Sequence, residues 1–207
     1  WAVSNGGFGL DLATGDVDGD GMAEIAYVYN DDDLFVIDGD TRTVKWHLTD
    51  LGNMTNVAQG DLDNDGKTEV LINPGVNGSV SVHNGMTGEL LGSLLSGEEA
   101  LSIVVGDTND DGIKEIVWEA GRIIIANWQT RSVDWISKSI DGPFLVKAED
   151  LENDGSVEII VGSYSSAEST NNPGAITAFD GLSHQVEWSV VACGSTYFNL
   201  TFLEVAQ

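Results

Sequence analysis

Residues 61–69 read Asp61-Leu-Asp63-Asn-Asp65-Gly66-Lys-Thr-Glu69, with an oxygen-bearing side chain at positions 1, 3, 5 and 9 and glycine at position 6. Alternating carboxylates that a glycine turn folds back on themselves form a cage of oxygen atoms. Such a cage suits a hard cation, and calcium is its usual occupant. The pattern therefore predicts a metal-binding loop.

The pattern occurs four times, beginning at Asp16, Asp61, Asp107 and Asp150. The chain is therefore a repeat protein with a period of about 45 residues. We number the loops 1 to 4 and expect up to four calcium ions. The predicted side-chain ligands are Asp16, Asp18, Asp20 and Glu24 in loop 1, Asp61, Asp63, Asp65 and Glu69 in loop 2, Asp107, Asn109, Asp111 and Glu115 in loop 3, and Asp150, Glu152, Asp154 and Glu158 in loop 4.

The loops also explain the charge of the chain. Its 34 acidic and 8 basic residues give a formal net charge of -26, and the predicted ligands include 15 of the acids. A merely solvated acidic surface would scatter them. Nucleic acid and anionic membranes repel such a surface, so neither is an expected partner. No run of 18 apolar residues occurs, so insertion into a membrane is not expected either.

Short β-branched runs follow each loop, and no segment has a sustained 3.6-residue period. After loop 1 they are residues 24–28 and 34–37, then a turn at Asp38-Gly39 and a run ending at Trp46. Asp-Gly and Asn-Gly favour two-residue hairpin turns. Four short antiparallel strands in each repeat predict an all-β chain, a β-propeller built of four-stranded blades. Each loop would then join the first and second strands of its blade, and the tryptophans would pack between blades.

The predicted organisation is one propeller, or a fragment of one, over residues 1–207. The repeats fall at about 1–45, 46–91, 92–134 and 135–188, with a partial fifth at 189–207. Trp1 lies 15 residues before Asp16, as Trp46 does before Asp61, so it is expected to end a strand of a preceding blade. We therefore predict partial blades at both ends, whose open edges could pair with other copies of the chain.

An EF-hand is the main alternative for the loops. It requires a bidentate glutamate at position 12. Here position 12 is apolar or aromatic in every loop, which excludes the EF-hand. These residues are Tyr27, Ile72, Trp118 and Val161.

The repeats resemble the FG-GAP family, the calcium-binding propeller repeats of integrin α-subunits and of many microbial surface proteins. The resemblance covers essentially the whole chain and includes Phe8-Gly9 before loop 1. Residues 179–188 also resemble PQQ-type propeller repeats. The resemblance implies that position 7 supplies a backbone carbonyl to the metal. The residues at this position are Met22, Lys67, Ile113 and Ser156.

Three sequons, at Asn53, Asn77 and Asn199, are candidate glycosylation sites. Calcium cages of this kind fill at the millimolar calcium found outside cells. Both observations indicate an extracellular or cell-surface location. Cys193 is the single cysteine, so no internal disulfide can form, and a small buried side chain is its expected role.

The pattern favours a non-catalytic, calcium-stiffened scaffold for adhesion or ligand binding. Two connections of the fourth repeat are longer than their counterparts and are predicted to lie on the face opposite the loops, where a protein or carbohydrate would bind. Their candidate contact residues are Tyr164, Asn171, Asn172 and Tyr197. Two alternatives stay open: a self-assembling surface-layer or filament subunit, and a secreted enzyme. The family's resemblance to polysaccharide lyases and quinone-dependent dehydrogenases supports the second, although the sequence offers no catalytic pair.

Overall fold

The computed structural model of the chain describes residues 9–30, 32–52, 56–73, 78–95, 100–140, 142–163 and 174–191. These residues form sixteen strands and no helix. Within this part of the chain, therefore, no helix is available that could span a membrane. The strands form four separate antiparallel sheets of four strands each, and we call the sheets blades 1 to 4 in chain order.

The chain divides into two compact units, residues 1–99 and 100–207. The first unit contains blades 1 and 2. Blade 1 consists of β1 (Gly9–Gly15), β2 (Glu24–Tyr29), β3 (Asp33–Ile37) and β4 (Val44–Leu48). Blade 2 consists of β5 (Val57–Gly60), β6 (Glu69–Ile72), β7 (Ser79–His83) and β8 (Leu90–Leu95).

The second unit contains blades 3 and 4. Blade 3 consists of β9 (Ser102–Gly106), β10 (Glu115–Glu119), β11 (Ile123–Asn127) and β12 (Ser132–Ile136). Blade 4 consists of β13 (Pro143–Glu149), β14 (Glu158–Ser163), β15 (Ala175–Asp180) and β16 (Val186–Val191). In all four blades the strands follow one another in chain order from one edge of the sheet to the other.

These sheets confirm the prediction of an all-β propeller chain built from four-stranded antiparallel blades. Each acidic loop joins the first and second strands of its blade, and its position-9 glutamate begins the second strand. All four position-12 residues lie within strands, as the exclusion of an EF-hand requires. The predicted partial blades depend on Trp1 and on residues 192–207, which lie outside the described residues.

Apolar side chains between the two blades of a unit form its core. In the first unit the core includes Val28 and Leu34 of blade 1 and Val70 and Ile72 of blade 2. Burial alternates along β2, because one of its faces meets blade 2 and the other is only partly covered. In the second unit Val117 and Ile125 pack with residues of blade 4, and every residue of β10 and β11 is buried.

Two tryptophans of the outer strands, Trp46 and Trp135, pack against the next blade, as predicted. Trp46 donates from Nε1 to the carbonyl oxygen of Gly85 at 2.7 Å, in the turn before β8. Trp135 stacks on the ring of His184 in the corresponding turn of blade 4, with centroids 4.5 Å apart. These contacts orient the outer strand of one blade relative to the turn of the following blade.

The prediction of two-residue turns before the outer strands is wrong. In blade 1 the N–H of Asp38 donates to the carbonyl of Thr43 and the N–H of Arg42 donates to that of Asp38, so the turn is wider. The residue with positive φ is Arg42, at 60°, and not Gly39. Gly39 is required for a different reason: a Cβ there would lie 2.1 Å from the carbonyl oxygen of Ala23, next to loop 1.

Candidate metal centres

The four loops share one backbone conformation. Positive φ occurs at positions 4 and 6 of every loop, which explains the glycine at position 6 and the glycine, asparagine or aspartate at position 4. At position 4 these residues are Gly19, Asn64, Asp110 and Asn153, and at position 6 they are Gly21, Gly66, Gly112 and Gly155.

The position-1 aspartate closes each loop by accepting a hydrogen bond from the glycine at position 6. The N–H···Oδ2 distances are 2.8 Å from Gly21 to Asp16, 3.0 Å from Gly66 to Asp61, 2.8 Å from Gly112 to Asp107 and 2.9 Å from Gly155 to Asp150. In loop 1 burial raises the pKa of Asp16, but hydrogen bonds from backbone N–H groups outweigh it and leave this pKa lowered. In loops 1, 3 and 4 Oδ1 of this aspartate also accepts a backbone N–H, from Gly19, Asp111 and Asp154 at 2.7, 3.2 and 3.1 Å, respectively. The backbone therefore holds both oxygens of the position-1 aspartate in these three loops.

The position-5 aspartate is fixed in the same way by position 7. The N–H of Met22, Lys67, Ile113 and Ser156 donates to the position-5 Oδ1 at 2.8, 2.9, 2.8 and 2.9 Å, respectively. The role of the position-7 carbonyls as metal ligands stays a prediction.

The position-9 glutamates are buried, with side chains 1% to 5% exposed. One oxygen of each accepts a hydrogen bond from the backbone at position 2, which anchors the loop to the start of the second strand. The N–H···Oε2 distances are 3.0 Å from Val17 to Glu24, 2.9 Å from Leu62 to Glu69, 3.0 Å from Thr108 to Glu115 and 2.7 Å from Leu151 to Glu158. A buried carboxylate needs a compensating charge or proton, since burial without one is costly.

The pKa values reflect this cost. Burial, together with repulsion from Asp63, Asp65 and Asp61, raises the pKa of Glu69 to about 7 despite the hydrogen bond from Leu62. Burial likewise raises the pKa of Glu158 to about 7, with a further contribution from Glu152. A cation in these loops would remove the cost by favouring the ionised form.

Loop 2 fits a metal ion. Asp61, Asp63 and Glu69 each bring a carboxylate oxygen within 4.8 Å of the other two. Oδ1 of Asp61 is buried and has no hydrogen-bond partner among the described residues. A cation would satisfy this acceptor together with the two neighbouring carboxylates, and buried polar atoms are rarely left unpaired.

Loop 4 also fits a metal ion, and its ligand set includes one residue that the sequence patterns missed. Glu152 and Glu158 converge with Glu187, which lies in β16 and not in the loop. Partial burial raises the pKa of Glu187 as well, and repulsion from Glu152 adds to it. Aligning the turns before the outer strands places Glu187 at the position of Lys45, because Glu187 follows Asp180 by seven residues, as Lys45 follows Asp38. The alignment does not show that either side chain points into its loop.

Loop 1 gathers its acids around an ammonium group. Asp16, Asp18 and Glu24 converge within 4.8 Å, but Nζ of Lys45 lies 2.6 Å from Oδ2 of Asp18 and 3.9 Å from Oε1 of Glu24. Hydrogen bonds to Asp18 and Asp38 raise the pKa of Lys45, so the side chain is charged at neutral pH. Loop 1 therefore fits a metal ion less well than loop 2.

Loop 3 contains three acids and an amide. Oδ1 of Asn109 accepts the N–H of Asp111 at 3.0 Å, while its Nδ2 donates to Oδ2 of Asp111 at 3.1 Å and to Oε1 of Glu115 at 3.4 Å. The amide nitrogen thus faces the carboxylates. Its oxygen would face a cation only after the amide turns over.

The loops within each unit are linked to one another. In the first unit the N–H of Thr68 in loop 2 donates to the carbonyl of Asp16 in loop 1 at 2.8 Å. In the second unit Oγ of Ser156 in loop 4 donates to Oδ2 of Asp110 in loop 3 at 3.2 Å. An ion that orders one loop should therefore also order its neighbour.

Metal-free protein should lose stability as the pH rises from about 4.5 to about 7. The raised pKa of Glu69 means that the folded state holds a proton which the unfolded state has released in this window. Stability therefore falls with rising pH, on the order of 3 kcal/mol for a shift of this size. Thermal melts of metal-stripped protein at pH 5 and pH 7.5 measure it. Glu69→Gln should reduce the fall, and a melting temperature that rises across the window would refute the assignment.

The remaining predicted sites lie outside the described residues: the sequons at Asn53, Asn77 and Asn199, the contact candidates Tyr164, Asn171, Asn172 and Tyr197, and Cys193. A buried serine–histidine pair is the one Ser–His contact seen in the described ranges. Oγ of Ser81 lies 3.2 Å from Nε2 of His83, whose Nδ1 lies 3.1 Å from the carbonyl of Gly88. Both residues belong to β7, every residue of which is buried, so a substrate could not reach this pair.

Residues 16–72 match the family model of the FG-GAP-like repeat. The match covers loops 1 and 2 with the strands between them, and it confirms the resemblance for this part of the chain. No match was found among curated proteins.

Solved β-propeller structures resemble the chain. The V. cholerae biofilm matrix protein Bap1 is 22% identical at a TM-score of 0.62, with 88% of this chain and 28% of that one covered. The Dos1 propeller is 14% identical at a TM-score of 0.62, with 90% of this chain and 48% of that one covered. The Bacillus licheniformis rhamnogalacturonan lyase PL11 is 15% identical at a TM-score of 0.57, with 89% of this chain and 51% of that one covered. These identities show the fold alone, and this chain spans about a quarter to a half of each structure.

Proposed function

We propose that this chain is an extracellular, calcium-stabilised propeller domain without catalytic activity, which serves as a scaffold for adhesion or ligand binding. The observation that carries the proposal is one loop conformation, repeated at the same hairpin of four blades, in three of which carboxylates converge with the buried glutamate. Metal binding of this kind stabilises a fold and does not by itself perform chemistry.

The donor set favours calcium. Every candidate ligand in loops 2 and 4 is an oxygen, and oxygen-only sites select calcium, magnesium or manganese over zinc and copper. Calcium accepts six to eight oxygens in flexible geometry, whereas magnesium demands a near-octahedral shell. Loops that combine a buried glutamate with exposed aspartates suit the more permissive ion. When bound, calcium would supply positive charge to the carboxylates that now repel one another.

The location follows from the ion. Loops of this type fill at millimolar calcium, which is found outside cells. The likeness to a biofilm matrix protein supports the same location, although it rests on the fold. With a net charge of -26, the domain would meet a protein or carbohydrate and not nucleic acid. The partner surface we propose is the face opposite the loops.

Self-assembly is a second candidate, favoured by the outer strand of blade 4. Val186, Val190 and Val191 of β16 are 50% to 60% exposed, and an exposed apolar edge strand is a template for pairing with another chain. Size-exclusion chromatography of the purified chain, with and without calcium, would separate this candidate from a monomeric scaffold.

The enzyme alternative gives a direct test, because one structural relative is a rhamnogalacturonan lyase. Calcium-loaded protein incubated with rhamnogalacturonan is expected to release no products above a heat-denatured control, since the acids of the loops are held by backbone N–H groups. A known rhamnogalacturonan lyase serves as the positive control. Calcium-dependent cleavage by this chain would overturn the non-catalytic assignment.

A further inference from the structure

One side chain on the outer strand of blade 1 enters a predicted metal loop. Nζ of Lys45 in β4 lies 2.6 Å from Oδ2 of Asp18, 2.8 Å from Oδ2 of Asp38 and 3.9 Å from Oε1 of Glu24. Its side chain is only 17% exposed. Two of the three carboxylates that converge in loop 1 therefore already have a positively charged partner.

The equivalent position in the other blades carries a different charge. Counting seven residues from the asparagine or aspartate that begins each turn, the residues are Lys45 in blade 1, Leu91 in blade 2, Asp134 in blade 3 and Glu187 in blade 4. In blade 4 this residue adds a carboxylate to the acids of loop 4. One position of the repeat thus adds a cation to loop 1 and an anion to loop 4.

We propose that Lys45 is the built-in counter-ion of loop 1, so that this loop closes without metal and does not bind calcium under conditions that fill loops 2 and 4. The inference rests on the proposed function, because it assumes that the other loops bind calcium. The chain then binds fewer ions than its four acidic loops suggest, and blade 1 is locked by a lysine instead.

The surroundings of Lys45 hold it in this position. Asp38, its second partner, is itself fixed by the N–H of Thr41 at 2.7 Å and by Oγ1 of Thr41 at 2.8 Å. To admit calcium, Lys45 would have to leave three carboxylates at once and move into solvent, and a divalent ion beside an unmoved ammonium would be repelled. An ammonium cannot serve as a ligand, because it has donors and no acceptor.

The experiment counts bound calcium by native mass spectrometry after equilibration at fixed free calcium. Lys45→Met is expected to bind one ion more than the wild type. The matched control is Lys138→Met, which removes the same charge from an exposed lysine outside all four loops and should leave the count unchanged. Equal counts in the wild type and Lys45→Met would overturn the inference.

A second variant identifies the loop, and its effect on the wild type does not depend on the folding of Lys45→Met. Asp20→Asn, at the exposed position 5 of loop 1, should leave the count of the wild type unchanged and remove the extra ion from Lys45→Met. Loss of one ion from the wild type on Asp20→Asn would show that loop 1 already binds calcium, against the inference.

Failure of the proposed function would give a different result. The proposed function predicts that Asp65→Asn, the same change in loop 2, removes one ion from the wild type. If the wild type binds no calcium, or if Asp65→Asn leaves its count unchanged, the proposed function is wrong for that loop. The role of Lys45 is then still decided by whether Lys45→Met gains an ion over the wild type.

Discussion

Removal of calcium is expected to lower the melting temperature of this protein by roughly 10–20 °C. An ion at a hundred times its dissociation constant stabilises the folded state by about 2.7 kcal/mol per site. For a chain of about this size each kcal/mol is worth roughly 2–4 °C. With loops 2 and 4 filled, the two sites together account for the expected shift. Differential scanning calorimetry at a calcium concentration about a hundred times the dissociation constant, and in excess chelator, measures it.

Two controls make this result specific. Magnesium at the same concentration should restore less of the lost stability, because it prefers a rigid octahedral shell. Asp65→Asn should lower the melting temperature in calcium, and chelator should then cause a smaller further decrease than in the wild type. The expectation fails if the wild type melts at the same temperature in calcium and in chelator.

Gly85→Ala is expected to destabilise the protein with or without calcium. A Cβ at residue 85 would lie 2.0 Å from the carbonyl oxygen of Thr68 and 2.8 Å from Cβ of Val17. Both contacts are with well-packed atoms of loops 2 and 1, so the turn must move. Overpacking of this kind costs typically about 1–3 kcal/mol and occasionally more, and we expect the upper end here because a backbone atom is struck.

The matched control for this change is Met86→Ala in the same turn, whose side chain is 46% exposed. It should melt within a degree or two of the wild type, because little packing is lost at an exposed site. Gly85→Ala should also weaken calcium binding, since Thr68 is position 8 of loop 2. If both variants melt like the wild type, the close packing of Gly85 against Thr68 and Val17 would be refuted.

The loops themselves could be predicted because their chemistry is local. The glycine at position 6 has a φ of 83° to 98° in all four loops, a conformation that only glycine adopts without strain. Alternating acids and the β-branched run that begins at the position-9 glutamate complete the pattern within a few residues. Such short-range signals survive in the sequence alone.

The partners that arrive from elsewhere in the chain could not be read in the same way. Lys45 and Glu187 reach their loops from the outer strand, and which side chain points there depends on the register of the sheet and on the bulge between Val36 and Ile37 or between Ala178 and Phe179. A one-residue change in register turns a side chain to the opposite face. Repeat alignment gives the equivalent positions but not their direction.

In the turn before the outer strand, the sequence identifies the glycine as important but suggests the wrong reason for it. The Asp-Gly dipeptide predicts positive φ in a two-residue turn. In the structure its aspartate or asparagine caps a wider turn: Oδ1 of Asn84 accepts the N–H of Thr87 at 3.0 Å, and Oδ1 of Asp180 accepts that of Ser183 at 2.6 Å. The glycine is needed because loop backbone passes too close for a side chain, and that contact is invisible in the sequence.

Calcium in the loops is the claim on which the account depends, and a crystal structure of the protein grown in calcium tests it most directly. Anomalous scattering should place an ion in loop 2 within about 2.3–2.6 Å of oxygens from Asp61, Asp63 and Glu69, and a second ion in loop 4 beside Glu158 and Glu187. Loop 1 should contain the ammonium group of Lys45 instead. Loops 2 and 4 without ions in calcium-saturated crystals, with their acids turned apart into solvent, would contradict the account.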